Sequence, residues 1–124
     1  MAASLYHLPP RVLPSIQAVE GGNIGSVSRN TDGTEDLGLM QINTLWLPAL
    51  SRATRQPIAM VRARLLNRAC FNISVAAAIL RLYLDETHGD LMRAVGNYHS
   101  HTPQLNADYQ LKVRHSAELL FRPH

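Results

Sequence analysis

Cysteine occurs once in this chain, at Cys70, so no disulfide can form within it and no redox compartment is implied. A lone cysteine of this kind is expected to behave as a small buried hydrophobe. Long apolar runs are also missing, and no stretch is long enough to span a membrane. The opening residues, through Leu8-Pro9-Pro10, lack the basic region and apolar run of a secretory signal, so no export route is legible. Charge is sparse: Asp, Glu, Lys and Arg together make up 17% of the chain. Eleven of the twelve basic residues are arginines, scattered rather than gathered into a dense run. That pattern argues against nucleic acid as a partner. The net charge of +3 leaves a mildly basic surface, suited to an anionic polymer.

What remains is the composition of a folded domain. The 124 residues are 46% hydrophobic, enough to bury a core without staples and too apolar for general disorder. The chain reads as one domain over residues 1–124, without repeats, linkers or low-complexity segments.

Helical periodicity dominates. Leu8-Pro9-Pro10 reads as a helix entry, and Val12, Leu13, Ile16 and Val19 recur at helical spacing up to Glu20. Pro14 is tolerable there only if it still lies in the first turn. Gly21-Gly22 ends the helix. From Asn23 to Asp36 the chain is polar, and Asn30-Thr31-Asp32-Gly33-Thr34 predicts a tight turn at a small hairpin tip, short of a full sheet. Residues 39–42 read as the start of a short helix that stops before Pro48. Further helices are expected over 57–66, 73–88, 91–97 and 103–120, with a break at 67–72 and Asp90 as a cap. In the last of these, Leu105, Tyr109, Val113 and Leu119 or Leu120 are available to the core. The fold class is mainly α, with one polar hairpin-like excursion.

Chemistry concentrates in two stretches, Ala18-Val19-Glu20-Gly21-Gly22 and Gly38-Leu39-Met40-Gln41-Ile42-Asn43. A carboxyl at the edge of an apolar helix can keep its proton near neutral pH and act as a general acid. Other polar residues have simpler roles. Asp32 and Asp36 are expected to shape the turn, because Asx side chains bond locally to the backbone; Asp36 is the first candidate if a second carboxylate is used. Met40 and Ile42 are expected to pack. Arg62, Arg64 and Arg68 read as an exposed helix face. His99, Ser100 and His101 match no standard metal or Ser-His spacing and read as a solvated loop.

Taken in order, Glu20-Gly21-Gly22, Gly38-Leu39-Met40-Gln41-Ile42-Asn43, Cys70-x-Asn72-Ile73 and Ala94-Val95-Gly96-Asn97-Tyr98 resemble the lysozyme-like SLT lytic transglycosylases. The resemblance is nearest to the small members associated with secretion, conjugation and pilus machines, and it covers roughly residues 8–115. It implies a mainly α (α+β, lysozyme-like) fold, several short helices around a glycan cleft. It also implies cleavage of the β-1,4 bond between N-acetylmuramic acid and N-acetylglucosamine in peptidoglycan, with a 1,6-anhydro product. Glu20 matches the single catalytic carboxylate, whose pKa apolar neighbours such as Val19 and Leu39 would raise. Leu39, Met40 and Gln41 match the cleft-lining motif, and Asn43 a cleft-floor position. Ser28 matches a residue contacting the sugar near the acid, and Tyr98 a tyrosine that orients it. No cofactor or metal is implied. The implied partners are glycan strands and a secretion or conjugation machine, and the implied location is the periplasm or cell envelope.

Two neighbours depart from the family pattern. Gly21 stands where serine usually follows the catalytic glutamate, and His99 where asparagine usually follows the tyrosine. Relatives that are secreted often carry an upstream cysteine to pair with the one matching Cys70, and this chain has none. Two other readings therefore stay open: a hydrolytic muramidase using Asp36 or a positioned water, and a non-catalytic glycan-binding assembly component. Hydrolases of the ordinary lysozyme type set two carboxylates about 5 to 9.5 Å apart.

Overall fold

In a computed structural model, which describes residues 2–122, the chain is mainly α and lysozyme-like. The element order is α1 (Ala2–Leu5), α2 (Val12–Glu20), β1 (Val27–Arg29), β2 (Glu35–Leu37), β3 (Ile42–Asn43), a single 3-10 turn (Thr44–Trp46), α3 (Leu47–Thr54), α4 (Ile58–Asn67), α5 (Ala69–Glu86), α6 (Leu91–His99) and α7 (Pro103–Leu120). The chain forms two compact units. One is helical and contains residues 2–19 and 76–122; the other carries the sheet and spans Glu20–Val75.

In the helical unit, Val12, Leu13 and Ile16 of α2 are buried, as their spacing predicts. Pro14 is the third residue of α2 and so falls in the first turn, where its missing N–H leaves no intrahelical bond unmade. Ala76, Ala77 and Leu80 of α5 have no exposure, and small residues there allow close packing. Asp90 caps α6 by accepting a hydrogen bond from the Arg93 backbone N–H. On α7, Tyr109 and Val113 are buried as expected, whereas Leu105, Leu119 and Leu120 are exposed. The apolar stripe of α7 is thus narrower than its leucines suggest. Ser116 ties α7 to α2 by donating its hydroxyl to the Ser15 carbonyl at 3.0 Å.

The sheet unit corrects the sequence reading in five places. The polar excursion is more than a hairpin: β3 adds a third antiparallel strand, in the order β1-β2-β3. Residues 39–42 form no helix. A tight turn occupies 38–41, with Gln41 in the left-handed region (φ 53°), and the chain enters β3 at Ile42. Pro48, expected to stop a helix, instead lies in the first turn of α3, where proline is well tolerated. The break expected over 67–72 shrinks to Arg68, because α5 already starts at Ala69. Cys70, on that first turn, is exposed rather than buried.

Alternation sorts the sheet into two faces. Leu37 pairs with Val27 and Ile42, and both Leu37 and Ile42 are buried. On the opposite face Asp36 pairs with Ser28 on one side and Asn43 on the other. The hairpin tip behaves as its residues predict: the Asp32 carboxylate accepts from the Thr34 backbone N–H at 2.9 Å and from the Thr34 hydroxyl at 2.6 Å. The arginine face is less solvated than expected. Arg62 pairs with Glu35 at 3.0 Å, and the Arg64 guanidinium lies over the Phe71 ring at 4.6 Å.

One buried polar side chain holds this unit in register. Asn72, with no exposure, donates to the carbonyls of Leu37 and Leu65, each at 2.9 Å, and accepts from the Met40 N–H at 2.8 Å. Replacing Asn72 by alanine leaves three backbone groups without that partner. The expected loss is about 3 kcal/mol in a urea melt. A loss below about 1 kcal/mol would show that the amide is not what fixes the 37–40 segment.

The tip also makes a pH prediction. Hydrogen bonds from the Thr34 side chain, then from its backbone, hold the Asp32 carboxyl below the ordinary aspartate value. A lowered folded pKa means that the unfolded chain binds the proton more readily. The tip's stabilisation is therefore present above roughly pH 3.9 and is lost as pH falls further. The Thr34 amide resonance should shift across that acid window in the wild type and stay flat in Asp32→Asn. An identical shift in both proteins would refute the assignment.

Candidate functional site

The site grows from the end of α4. The last carbonyls of a helix lack intrahelical partners, and two of them here are met by groups from outside α4. Leu65 O accepts from the Asn72 side chain, and Leu66 O accepts from the Gly25 N–H at 2.6 Å. Gly38 lies directly against this helix end: a Cβ there would collide with Leu65 O and with Asn72 Nδ2. Gly22 lies in turn against Gly38. Its absent Cβ would overlap Gly38 O and come within 2.7 Å of Leu39 O and 3.1 Å of the Gln41 side chain. Two glycines thus let three backbone segments stack: the α4 terminus, the 38–41 turn and the turn after α2.

That stacking sets Glu20 two residues from the contact between Gly22 and the 38–41 turn. Glu20 is the last residue of α2 and is half-buried. Gly21 follows at φ 65°, with open space where a Cβ would point. A serine at this position would meet no clash but would have to adopt a left-handed backbone, so glycine suits this turn.

The 38–41 turn divides its side chains by role. Met40 is 1% exposed and packs inside, as expected, while Leu39 and Gln41 are half-exposed. The Gln41 amide donates to Gly38 O at 2.9 Å and to Ser26 Oγ at 3.3 Å. Ser26 is held from its other side, since its hydroxyl accepts from the Asn23 N–H at 3.1 Å. Gln41 therefore braces the turn against the loop that follows Gly22.

Asn43 braces the sheet. Its Nδ2 donates to Asp36 Oδ1 at 3.0 Å and to Thr34 Oγ1 at 3.1 Å, while its Oδ1 accepts from Leu45 N at 2.9 Å and caps the 3-10 turn. Both donors and one acceptor lone pair are in use, so Asn43 has one lone pair to offer a ligand. Ser28, on β1, is exposed and pairs in register with Asp36. Ser28, Asp36 and Asn43 form one polar row across the three strands. Local Asx chemistry alone predicts a turn-forming role for Asp36. Its place at the centre of this row was not visible without the third strand.

Comparison with known proteins matches the chain to a family. The family model described as "Transglycosylase SLT domain" aligns with residues 1–120. The chain belongs to the transglycosylase SLT domain family. Among its relatives, the invasion protein IagB of Salmonella typhimurium is 29% identical over 108 residues, which is 86% of this chain and 64% of IagB. Protein IpgF of Shigella flexneri is 29% identical over 122 residues, 98% of this chain and 74% of IpgF. The chain thus spans a little under two thirds of the length of IagB.

The two remaining candidates of the SLT domain lie on α6, in the helical unit. Tyr98 is half-buried, and His99, the last residue of α6, is exposed and stacks on the buried Tyr109 with ring centroids 4.9 Å apart. His101, also exposed, bonds to Glu86 at 2.7 Å and meets Tyr83 edge-on at 5.2 Å. These histidines therefore have protein partners rather than a purely solvated loop around them. Reasoning from sequence missed Asn72 and Gly22 as the residues that set the site's geometry. The motif Cys70-x-Asn72-Ile73 was a signal for the first, but nothing in it distinguishes a structural amide from a surface one.

The stacking predicts an order of mutational costs. Gly22→Ala drives a Cβ into two backbone carbonyls and should cost about 3 kcal/mol. Gly21→Ala meets open space and should cost only the left-handed backbone penalty, about 1 kcal/mol. Urea denaturation of both variants checks the order, and a reversed order would contradict the packing.

Proposed function

We propose that this chain is a peptidoglycan lytic transglycosylase with Glu20 as its only essential carboxyl group. The observation that carries the reading is the placement of Glu20 at the end of α2, where the adjoining turn stacks on the Gly38–Gln41 segment of an SLT domain. Protonated Glu20 delivers its proton to the glycosidic oxygen as the bond to the muramoyl anomeric carbon breaks. The resulting carboxylate takes a proton from the muramoyl C6 hydroxyl, whose oxygen bonds to that carbon. The product is a 1,6-anhydro ring, and Glu20 ends protonated as it began. A single carboxyl serves both proton transfers, so the chemistry needs no second one.

Ser28, Leu39, Met40, Gln41 and Asn43 are assigned to the substrate-binding surface that the resemblance implies, with Tyr98 orienting Glu20 and His99 completing that surface although it departs from the family's asparagine. Within that set, the burial and bonds of Met40, Gln41 and Asn43 suit holding the surface in shape, while exposed Ser28 suits direct sugar contact. The proposal extends to the whole of residues 1–124 as one catalytic domain acting in the periplasm or cell envelope. Local wall remodelling for a secretion, conjugation or pilus machine is supported by the likeness to the invasion protein IagB.

The position of Asp36 favours one competing reading. Asp36, between Ser28 and Asn43 on the polar face of the sheet, is the carboxylate that a hydrolase could recruit as its second catalytic group. Substitution separates the two. Glu20→Gln should slow muropeptide release from purified sacculi about a thousandfold under either reading. Asp36→Asn should leave the rate within about threefold of wild type for a transglycosylase, and a loss as deep as that of Glu20→Gln would favour hydrolysis. If wild type and Glu20→Gln released muropeptides equally, both enzyme readings would fall. Sedimentation with sacculi without any release would leave a glycan-binding component.

A further inference from the structure

Three arginines line one groove of the helical unit, and none of them is among the site candidates discussed above. Arg114, Ala117, Glu118 and Phe121 recur at the spacing of a single face of α7 and its C-cap. Arg11, immediately before α2, sets its guanidinium over the Phe121 ring at 5.0 Å from the centroid. With Arg122 these residues line a groove of about 540 Å³. Both walls are anchored, because Ser15 bonds back to the Arg11 carbonyl at 2.8 Å and Ser116 bonds to Ser15.

The chemistry of the groove is one-sided. Arg11, Arg114 and Arg122 are exposed, and among the described residues none of them forms an ion pair. Guanidinium groups donate hydrogen bonds and accept none, and their planar forks match carboxylates in pairs. The floor between them, Ala117 and the Phe121 ring, is apolar and partly open. A neutral glycan would leave this donor excess unanswered. A continuous polyanion would run against Glu118, which sits among the arginines. An occupant with a few carboxylates around a large apolar side chain satisfies both features.

We propose that this groove docks an acidic peptide segment of a partner protein, seating an apolar or aromatic side chain on Phe121 and its carboxylates on Arg11, Arg114 and Arg122. The inference is independent of the glycan chemistry proposed for Glu20. Arginine and aromatic groups at the centre of a groove are where binding energy concentrates in protein interfaces.

The test uses a fluorescein-labelled short peptide alternating aspartate and phenylalanine, titrated with the full chain at near-physiological salt and read by anisotropy. Saturable binding is expected, with Arg114→Glu and Arg122→Glu each weakening it about tenfold. Arg122 lies beyond the last helix, so its reversal leaves the fold intact even if Arg114→Glu disturbs α7. Lys112→Glu makes the same change in net charge two positions before Arg114, on another side of the helix, and should weaken binding less than about twofold. The proposal is overturned if Lys112→Glu weakens binding as much as Arg122→Glu, if an asparagine-phenylalanine peptide binds equally well, or if no saturable binding occurs. Tighter binding of a single-stranded oligonucleotide through the same arginines would also overturn it, in favour of a polyanion site.

Discussion

The Asn72 side chain is the constraint on which the sheet unit depends. An amide with no solvent exposure is costly unless its polar atoms are bonded, and here three of its four bonding positions are filled by backbone groups from three segments. It closes the C-terminal end of α4, binds the last carbonyl of β2 and fixes the Met40 N–H within the turn beyond it. Because each of those backbone groups would otherwise be buried without this partner, the three segments have one mutual arrangement that satisfies all of them. Gly38 and Gly22 are consequences of that arrangement. Any side chain at either position would push apart backbones that Asn72 and the α4 carbonyls draw together.

The candidate site inherits its rigidity from this packing. Gln41 and Asn43, which sequence motifs mark as cleft residues, spend most of their hydrogen-bonding capacity on the protein itself. Their amides link the 38–41 turn, the hairpin tip and the 3-10 turn into one frame. A surface so constrained presents Ser28 and Asp36 without the entropy cost of ordering loops on binding. The departure at Gly21 fits the same frame, since a left-handed turn directly after α2 brings Gly22 back onto the 38–39 carbonyls.

Most of the helical architecture was legible from periodicity. Val12, Leu13 and Ile16 announced α2, and Asp90 announced the start of α6 through its capping chemistry. The failures share a physical cause: they lie where tertiary bonds outweigh local preference. Residues 39–42 have a helix-like mix of apolar groups and amides, yet Asn72 holds Met40 in a turn and Ile42 enters a strand whose partner lies in β2. A two-residue strand carries no periodicity of its own, so β3 could not be found from the sequence, and with it went the polar row centred on Asp36. Leu105, Leu119 and Leu120 misled in the other direction, because leucine on a helix does not reveal which stripe is covered. The order of the motifs pointed to the family, and those motifs contain Gly22, Gly38 and Asn72 without showing that these residues set the packing of the site.

The central claim is that Glu20 cleaves glycan strands by internal cyclisation. It joins a structural fact, a half-buried carboxyl at the end of α2 beside the turn that packs on Gly38 and Leu39, to membership of the transglycosylase SLT domain family. The most direct test is the mass of the muropeptides released from purified sacculi. The account predicts 1,6-anhydromuramoyl ends, each lighter than a reducing end by one water. Reducing ends in their place would contradict it.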